Sequence, residues 1–343
     1  MSGGSRPTLT VVTCNYNHGP YLAQSIEAVI GQSRPPDQYI IVDDGSTDNS
    51  VPIIESYARR HPVIQFVRHK TNQGLSAASA RAWSLITSEY FLGAAADDYL
   101  KEGFLEDAMT LAARYPEAGL VFGRQVMVWA DGAETPLDLM PNWDELTFAP
   151  PSKFLHEYLR RATPLASPTA TFIFRRVCFE EVGRLRAELG YWGDAFAARA
   201  VALKYGACFV PRDCAAFRVN TSGYGGRQML RIESALPPIS NAISLMRIGF
   251  ADRFPPAYVD EFERASREDV IEYHCWLKYF VPPEQALRRR RQRLSPLGRL
   301  GESLAQALTL PKVVIGWISR KLARKWLRKK ASLGIGPFAP ATG

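Results

Sequence analysis

Short apolar runs alternate with longer amphipathic stretches along the first hundred residues of this chain. Strand-like runs lie at 9–14, 39–42, 63–67 and 90–94, and helix-like spacing of apolar residues separates them at 21–31, 51–60 and 76–87. Short strands that alternate with helices are typical of a parallel sheet with helices on both faces. We therefore predict an α/β fold whose sheet is mainly parallel.

Acidic residues follow two of these strand-like runs. Asp43 and Asp44 come directly after the second run, and Asp97 and Asp98 come shortly after the fourth. The carboxyl ends of parallel strands share one edge of a sheet, and ligands of such folds bind at that edge. A further carboxylate, Asp194, precedes a helix-like stretch, so carboxylates from distant positions are expected to meet in one pocket.

The second half of the chain has a different character. Helix-like spacing at 105–114 and 195–205 accompanies strand-like runs at 120–129 and 207–210, and Asp131-Gly132 is a hairpin-type turn. Proline-rich segments at 136–151 and 164–168 predict a looped, mixed region. From 228 to 279 the pattern is mostly helical, with interruptions expected at Pro237-Pro238 and Pro255-Pro256.

The net charge of +8 comes from one segment. Residues 285–330 hold fourteen Lys or Arg and a single acid, Glu302, which leaves the remainder of the chain mildly acidic. Beyond Pro311 the apolar residues recur every three or four positions and include Trp326, which predicts a basic amphipathic helix suited to an anionic membrane surface.

These patterns predict five regions. They are a flexible N-terminus (1–8), an α/β catalytic domain (9–227), a helical extension (228–284), a basic amphipathic region (285–333) and a flexible tail (334–343).

Cysteine usage and the absence of long apolar segments bear on location. The five cysteines form no C-x-x-C pair and no zinc spacing, and the first eight residues do not resemble a signal peptide. The apolar runs are also shorter than the roughly 20 residues of a spanning helix. We predict a cytoplasmic protein that is peripheral to the inner face of the cell membrane.

Several common catalytic motifs are missing from the sequence. It contains no G-x-S-x-G, no phosphate-binding P-loop and no G-x-G-x-x-G. These absences argue against α/β-hydrolase, nucleoside triphosphatase and dehydrogenase functions.

Six strings occur in a characteristic order: VVTCNYNHGPYL, YIIVDDGSTDNS, NQGLSAASARAW, EYFLGAAADDYL, TATFIFRRVCFEEVG and GYWGDAFAARAVALKYG. The series resembles the family 2 glycosyltransferases of the GT-A fold over about residues 8–225. The resemblance implies a GT-A-like (Rossmann-like) domain and a metal-dependent transferase. Such an enzyme uses a nucleotide-diphosphate sugar, usually with inversion at the anomeric carbon.

The resemblance also implies roles for four acids. Asp44 would accept a hydrogen bond from the nucleotide base, Asp98 would bind Mn²⁺ or Mg²⁺, and Asp97 would flank the ribose or the metal. Asp194 would be the general base that deprotonates the acceptor. The structural alternatives are an Asp-Gly turn, two solvated loop acids and an ordinary Asp at a helix N-terminus. Asp43 is expected to be structural or to support the residues that contact the ligand.

The chain departs from the commoner family pattern at several points. Ala95 replaces an acid of the metal motif, and Gly193 stands where relatives often carry Glu. Cys14 and Tyr16 lie at the end of the first strand, where a nucleotide contact is expected.

Three more residues are candidates for ligand contact. Gly74 is expected to let the backbone approach a nucleotide. Arg218 either reaches the diphosphate or lies on the surface, and Trp192 either stacks on an acceptor sugar or packs in the core. We interpret all five histidines as non-catalytic.

The expected function is sugar transfer to a hydroxyl of a glycan or lipid-linked acceptor in cell-surface polysaccharide biosynthesis. One alternative is an inactive relative that only binds sugar nucleotides. Another is a nucleic-acid-binding protein that uses the basic segment, but the acidic body and the apolar face of that segment disfavour nucleic acid. The sequence leaves the oligomeric state open.

Overall fold

The computed structural model describes residues 6–129, 132–137, 143–159, 167–219, 223–229, 232–266 and 270. The predictions for the basic amphipathic region and the C-terminal tail lie outside the described residues. So do those for residues 1–5 and for 271–284 of the helical extension.

Ten strands form one sheet in the described part of the chain. Their bounds are β1 (Leu9–Asn15), β2 (Gln38–Asp43), β3 (Ile64–Arg68), β4 (Tyr90–Gly93), β5 (Tyr99–Leu100), β6 (Leu120–Val128), β7 (Glu134–Pro136), β8 (Thr147–Ala149), β9 (Ile173–Arg175) and β10 (Ala207–Arg218). The order along the sheet is β3-β2-β1-β4-β9-β6-β10-β5, with β7 beside β6 and β8 beside β10.

The α-helices alternate with these strands in the first half. They are α1 (Gly19–Ile30), α2 (Ser50–Arg60), α3 (Leu75–Trp83), α4 (Phe104–Arg114), α5 (Pro151–Lys153), α6 (Arg176–Glu181), α7 (Gly193–Tyr205), α8 (Tyr224–Met229) and α9 (Ile232–Ser244). Helical segments of other types span Phe154–Leu159, Thr169–Thr171, Ala187–Trp192 and Leu245–Gly249, and a further helix covers 256–266.

The predicted mixed, mainly parallel sheet is confirmed. β1, β2, β3 and β4 pair in parallel, as do β6 and β10, whereas β9 is antiparallel to both β4 and β6. Because β9 reverses the direction twice across the sheet, the two parallel groups point the same way. Their carboxyl ends therefore lie along one edge.

Helix α7 is buried on nearly all sides. Ten of its thirteen residues are buried, including every residue from Ala195 to Leu203. This explains its many alanines, because small side chains allow a helix to be enclosed by other elements. The helix packs against β6 and leads into β10 through Gly206, so its N-terminus lies toward the carboxyl edge of the sheet.

Two predictions about the second half were wrong. The last strand does not stop at Val210 but continues to Arg218, through register shifts on either side of Asp213. Pro237 and Pro238 lie inside α9 and do not interrupt it. The hairpin after β6 is present, with Gly132 at a positive φ of 86°.

The helical segment after α8 shares the core of the α/β domain. Ile239, Met246, Phe254 and Phe262 are buried in the same apolar cluster as Phe196 of α7. Among the described residues, no helix combines the length and apolar character that a membrane crossing requires.

Candidate active site

The two acidic pairs that were predicted to share a pocket lie beyond the carboxyl ends of β2 and β4, on either side of β1. Asp44 follows β2 directly, and its backbone N–H donates to the Asn15 carbonyl at the end of β1. The segment after β4 begins with Ala94, whose N–H donates to Val12 of β1. The parallel ladder therefore brings both acidic pairs to the same edge.

Asp43 has the structural role expected for it. Its carboxylate is fully buried and accepts hydrogen bonds from the Asn15 side chain (2.8 Å) and the Ser46 backbone N–H (2.9 Å). These bonds shape the turn that presents the next residue, Asp44.

Asp44 is held by three donors. One carboxylate oxygen, Oδ1, lies 2.7 Å from His69 Nδ1 and 3.0 Å from the Gln73 backbone N. The other, Oδ2, lies 2.7 Å from the Gly74 backbone N. Burial raises the pKa of Asp44, but these bonds outweigh burial and hold the pKa below its ordinary value. Asp44 is therefore an ionised acceptor at neutral pH.

The loop that supplies these donors approaches Asp44 closely because of two glycines. A Cβ on Gly45 would lie 2.5 Å from the Thr71 carbonyl carbon, so only glycine lets the loop pack there. Gly74 has φ 89° and ψ 160°, a conformation that side chains with a Cβ rarely adopt. Gly74 thereby occupies the N-cap position before α3 and presents its N–H to Asp44.

Asp98 is the more deeply enclosed member of the second acidic pair. Only 6% of its surface is exposed, and its Oδ1 accepts the Arg218 backbone N–H at 2.8 Å. Burial, followed by the charge of Asp97, raises the pKa of Asp98 well above its usual range, although Arg218 opposes the shift. Asp98 also borders a small cavity with Ser25, Tyr99 and Ala170 among its lining residues.

Arg218 lies at the end of β10, inside the site. Its guanidinium donates to the Asp97 carbonyl and to the Gln24 side chain of α1. The Tyr21 and Tyr99 rings lie 4.9 Å and 5.0 Å from it. Arg218 therefore lies beside the acidic pair, and contact with a diphosphate stays a prediction.

The donor set at this edge suits a hard divalent cation. Among the described residues, no group of three or more His, Cys, Asp or Glu side chains is arranged to hold a metal. Mg²⁺ and similar ions, however, often take one or two protein carboxylates and complete their shell with substrate phosphates and water. Asp98, with Asp97 beside it, matches that requirement, and a cation there would favour the ionised carboxylate.

Asp194 lies in the first turn of α7. Its Oδ1 is 2.6 Å from the backbone N of Ala195, and its side chain is partly buried. Burial raises its pKa to about 6, against the opposing effects of the backbone N–H groups and the positive charge of Arg199. A carboxylate with that pKa is ionised at neutral pH and is a stronger base than an ordinary aspartate.

Arg199 joins α7 to Ser167. The Nη1 atom of this buried residue lies 3.0 Å from the Ala195 carbonyl and 3.3 Å from Ser167 Oγ. Ala170, three residues after Ser167 in the sequence, lines the small cavity beside Asp98.

Trp192 packs in the core. It is 2% exposed and contacts the Phe262 ring at a centroid distance of 5.1 Å and the Arg199 guanidinium at 4.9 Å. This burial supports the core-packing interpretation over stacking on a sugar.

Two further predicted contacts differ in their accessibility. Cys14 is half-buried, and its Sγ lies 3.8 Å from Ser79 Oγ on α3, while burial raises its pKa to about 11. Tyr16 is 38% exposed just beyond β1. Nucleotide contacts by either residue stay predictions, and Tyr16 has the accessible ring.

Sequence reasoning missed the residues that support the predicted ones. His69 was predicted to be non-catalytic because the histidines show no metal-ligand spacing. Its position directly after β3, however, places it at the same sheet edge as Asp44. Gln24 and Tyr21 lie on α1, nearly two hundred positions from Arg218, so no local pattern connects them.

Comparison with known proteins shows which family this chain resembles. The family profile of glycosyl transferase family 2 matches residues 10–183. A putative teichuronic acid biosynthesis glycosyltransferase of Bacillus subtilis, TuaG, is 31% identical over 133 residues, which cover 39% of this chain. That alignment spans 52% of the length of TuaG. Separate alignments span 30% of the glycosyltransferase YibD of Escherichia coli and 33% of the glycosyltransferase GlyG of Streptococcus pneumoniae.

Solved structures share the fold at low sequence identity. The mannosyltransferase PcManGT of Pyrobaculum calidifontis, in complex with GDP-Man and Mn²⁺, has a TM-score of 0.56 at 22% identity. The alignment covers 92% of this chain and 84% of that one. S. aureus TarS 1-349 in complex with UDP has a TM-score of 0.52 at 16% identity, with 79% and 90% covered.

Proposed function

This chain belongs to glycosyl transferase family 2, and we propose that it moves a sugar from a nucleotide-diphosphate sugar to an acceptor hydroxyl, with inversion and with a divalent cation. The observation that carries the proposal is the grouping of Asp44, Asp98 and Arg218 at one sheet edge, toward which the N-terminus of α7 carries Asp194. These side chains supply a base acceptor, a cation ligand, a phosphate-binding cation and a general base.

The nucleotide end of the donor lies against Asp44. The ionised carboxylate is held by the loop donors before any ligand arrives, so little reorganisation is needed when a base N–H approaches. The exposed Tyr16 ring near this end offers a stacking surface for the base.

The diphosphate lies between Asp98 and Arg218. Arg218 is oriented by Tyr21, Gln24 and Tyr99, which leaves a preorganised guanidinium close to the leaving group. A divalent cation held by Asp98, with Asp97 beside it, would offset the negative charge that develops on the diphosphate. Mn²⁺ and Mg²⁺ both suit oxygen ligands of this kind.

Asp194 takes the proton. The acceptor hydroxyl oxygen forms a bond to the anomeric carbon, and the bond from that carbon to the phosphate oxygen breaks on the opposite side. The diphosphate leaves with the bonding electrons, and the hydroxyl proton passes to the Asp194 carboxylate. One base and in-line attack produce an inverted product.

The acceptor is proposed to be a glycan or lipid-linked sugar of a cell-surface polysaccharide. This assignment is motivated by TuaG, named for teichuronic acid biosynthesis. The basic amphipathic segment 285–333 would hold the enzyme at an anionic inner membrane surface, since each Lys or Arg near such a surface contributes about 1 kcal/mol. Pelleting of the protein with anionic vesicles, lost on deletion of that segment, would support this placement.

Turnover of a panel of nucleotide sugars by the purified chain, with and without Mn²⁺, tests the proposed activity. We expect metal-dependent release of the nucleotide diphosphate from at least one donor. The anomeric configuration of the product, measured by nuclear magnetic resonance, should be inverted. Binding of a donor without any turnover would favour an inactive relative, and salt-dependent RNA binding without donor binding would favour the nucleic-acid alternative.

A further inference from the structure

The carboxylate of Asp44 has little hydrogen-bonding capacity left for a ligand. An ionised aspartate offers about four acceptor sites on its two oxygens. His69 and Gln73 occupy both sites of Oδ1, and Gly74 occupies one of Oδ2. One site therefore stays available, on Oδ2.

The accessible surface of this carboxylate is correspondingly small. The side chain of Asp44 is 5% exposed and that of His69 is 12% exposed. An opening of this size admits one donor atom more readily than the broad edge of a base with two adjacent donors.

Nucleobases differ in the donors that they present to a carboxylate. Uracil offers a single N3–H between two carbonyl oxygens, whereas guanine offers N1–H and the neighbouring exocyclic amine side by side. A carboxylate with both oxygens available can accept both guanine donors, but a carboxylate with one remaining site leaves one donor unpaired. Unpaired donors in a binding site reduce affinity.

We propose that His69 is a specificity-determining residue that makes the Asp44 site select a base with a single N–H, such as uracil, over guanine. This inference rests on the proposed function, because it assumes that the base of a donor nucleotide reaches Asp44. Similarity of fold does not decide the base, since one solved neighbour is in complex with GDP-Man and another with UDP.

The position of His69 is fixed by the sheet. Its backbone N–H donates to the Asp43 carbonyl at 2.8 Å, which extends the pairing of β3 with β2 by one residue. Its ring then reaches Asp44, where Nδ1 must be the donor because an ionised carboxylate only accepts. His69 acts through Asp44 and is a positioning residue.

Binding of UDP, GDP and inosine diphosphate to the full-length protein in the presence of Mn²⁺ tests this inference by titration calorimetry. Inosine diphosphate has the same ring size as GDP but lacks the exocyclic amine, so it isolates the effect of the second donor. We expect GDP to bind about tenfold more weakly than inosine diphosphate, because one donor stays unpaired. UDP should bind more tightly than either purine nucleotide.

Two substitutions at position 69 sharpen the test. His69→Phe keeps a ring but removes the donor, so it frees a site on Oδ1 and should reduce the GDP to inosine diphosphate ratio of Kd values to about one. His69→Asn retains a donor near the Nδ1 position and should keep the wild-type ratio. His156→Phe, at an exposed histidine in the helical segment Phe154–Leu159, controls for a general effect of the substitution.

The possible outcomes separate the inference from the proposed function. If the wild type binds GDP as tightly as inosine diphosphate, the inference is overturned even without any variant. It is also overturned if His69→Phe retains the wild-type ratio. If the wild type turns over no nucleotide sugar and binds none of the three nucleotides, the proposed function fails as well.

Discussion

The two ends of the proposed active site are built differently. At the donor end, Asp44 and Asp98 follow parallel strands and accept bonds from backbone N–H groups of other segments. At the acceptor end, Asp194 is bound by the first turn of its own helix and lies next to the buried Trp192. The backbone bonds at the donor end fix the positions of the Asp44 and Asp98 carboxylates. At the acceptor end, burial raises the pKa of Asp194.

This difference follows from what each end has to do. A donor nucleotide carries fixed donors and charges, so its site benefits from carboxylates that are already oriented. A general base must be ionised and yet basic enough to take a proton, and the pKa of about 6 that burial gives Asp194 suits the role proposed for it. Substitutions at the donor end should therefore change nucleotide binding, whereas Asp194→Asn at the acceptor end should lower turnover without changing that binding.

Asp98→Asn should have the largest effect on the donor end. Loss of the cation ligand removes charge stabilisation worth several kcal/mol, so we expect metal-dependent turnover to fall by more than about 100-fold. Mn²⁺ should then no longer increase UDP affinity in calorimetry. Asp144→Asn, whose side chain is 91% exposed, is the matched control and should behave as wild type. An Mn²⁺ response retained by Asp98→Asn would exclude Asp98 as the ligand.

Asp194→Asn should increase stability at the acceptor end. The pKa of Asp194 is raised from 3.8 to about 6 on folding, so its ionised form costs free energy above pH 6. A neutral amide removes that cost, and we expect the free energy of unfolding to rise by about 1–3 kcal/mol at pH 8. The gain should shrink between pH 6 and pH 4 and disappear below 3.8.

Denaturant unfolding at pH 8, 6 and 4 measures this gain, with Asp144→Asn as the control. If Asp194→Asn is less stable than the wild type at pH 8, the raised pKa of Asp194 is contradicted. Asp194 would then be stabilised in its ionised form, as Asp44 is at the donor end.

Gly74→Ala should weaken donor binding and lower the free energy of unfolding by the strain that it introduces. No atom lies within 4 Å of the added Cβ, so the cost is the strain at φ 89°, on the order of 1–3 kcal/mol. Relief of that strain would turn the Gly74 N–H away from Asp44, and we expect UDP affinity to fall about tenfold.

Gly132→Ala provides the matched control for Gly74→Ala. Gly132 also has a positive φ, 86°, and open space around its Cβ position, but it lies in the β6–β7 hairpin. It should leave UDP affinity unchanged. Equal losses in both variants would mean that the effect is a general one.

The donor end and the second half of the chain also differ in how well the sequence predicts them. The donor end follows local rules: an apolar strand, an acid at its end and a helix after it. The strands before Asp44 and Asp98 were accordingly predicted within a residue or two. The parallel pairing then places these acids together without further information.

The second half of the chain depends on long-range contacts that cannot be predicted from local sequence patterns. Pro211, Arg212 and Asp213 have the character of a strand end, but the neighbouring strand β6 continues the pairing past them with shifted register. Pro237 and Pro238 are accommodated in α9, whose apolar residues are buried against the core. In both places tertiary packing outweighs local preference.

The pH dependence of kcat/KM for the wild type and for Asp194→Asn tests the central claim most directly. We predict that wild-type kcat/KM falls with a one-proton slope below about pH 6, the pKa of the base. Asp194→Asn should bind UDP like the wild type but lose about 10²–10⁴-fold in kcat. A variant that keeps more than about a tenth of wild-type kcat, with the same pH profile, would show that Asp194 is not the base.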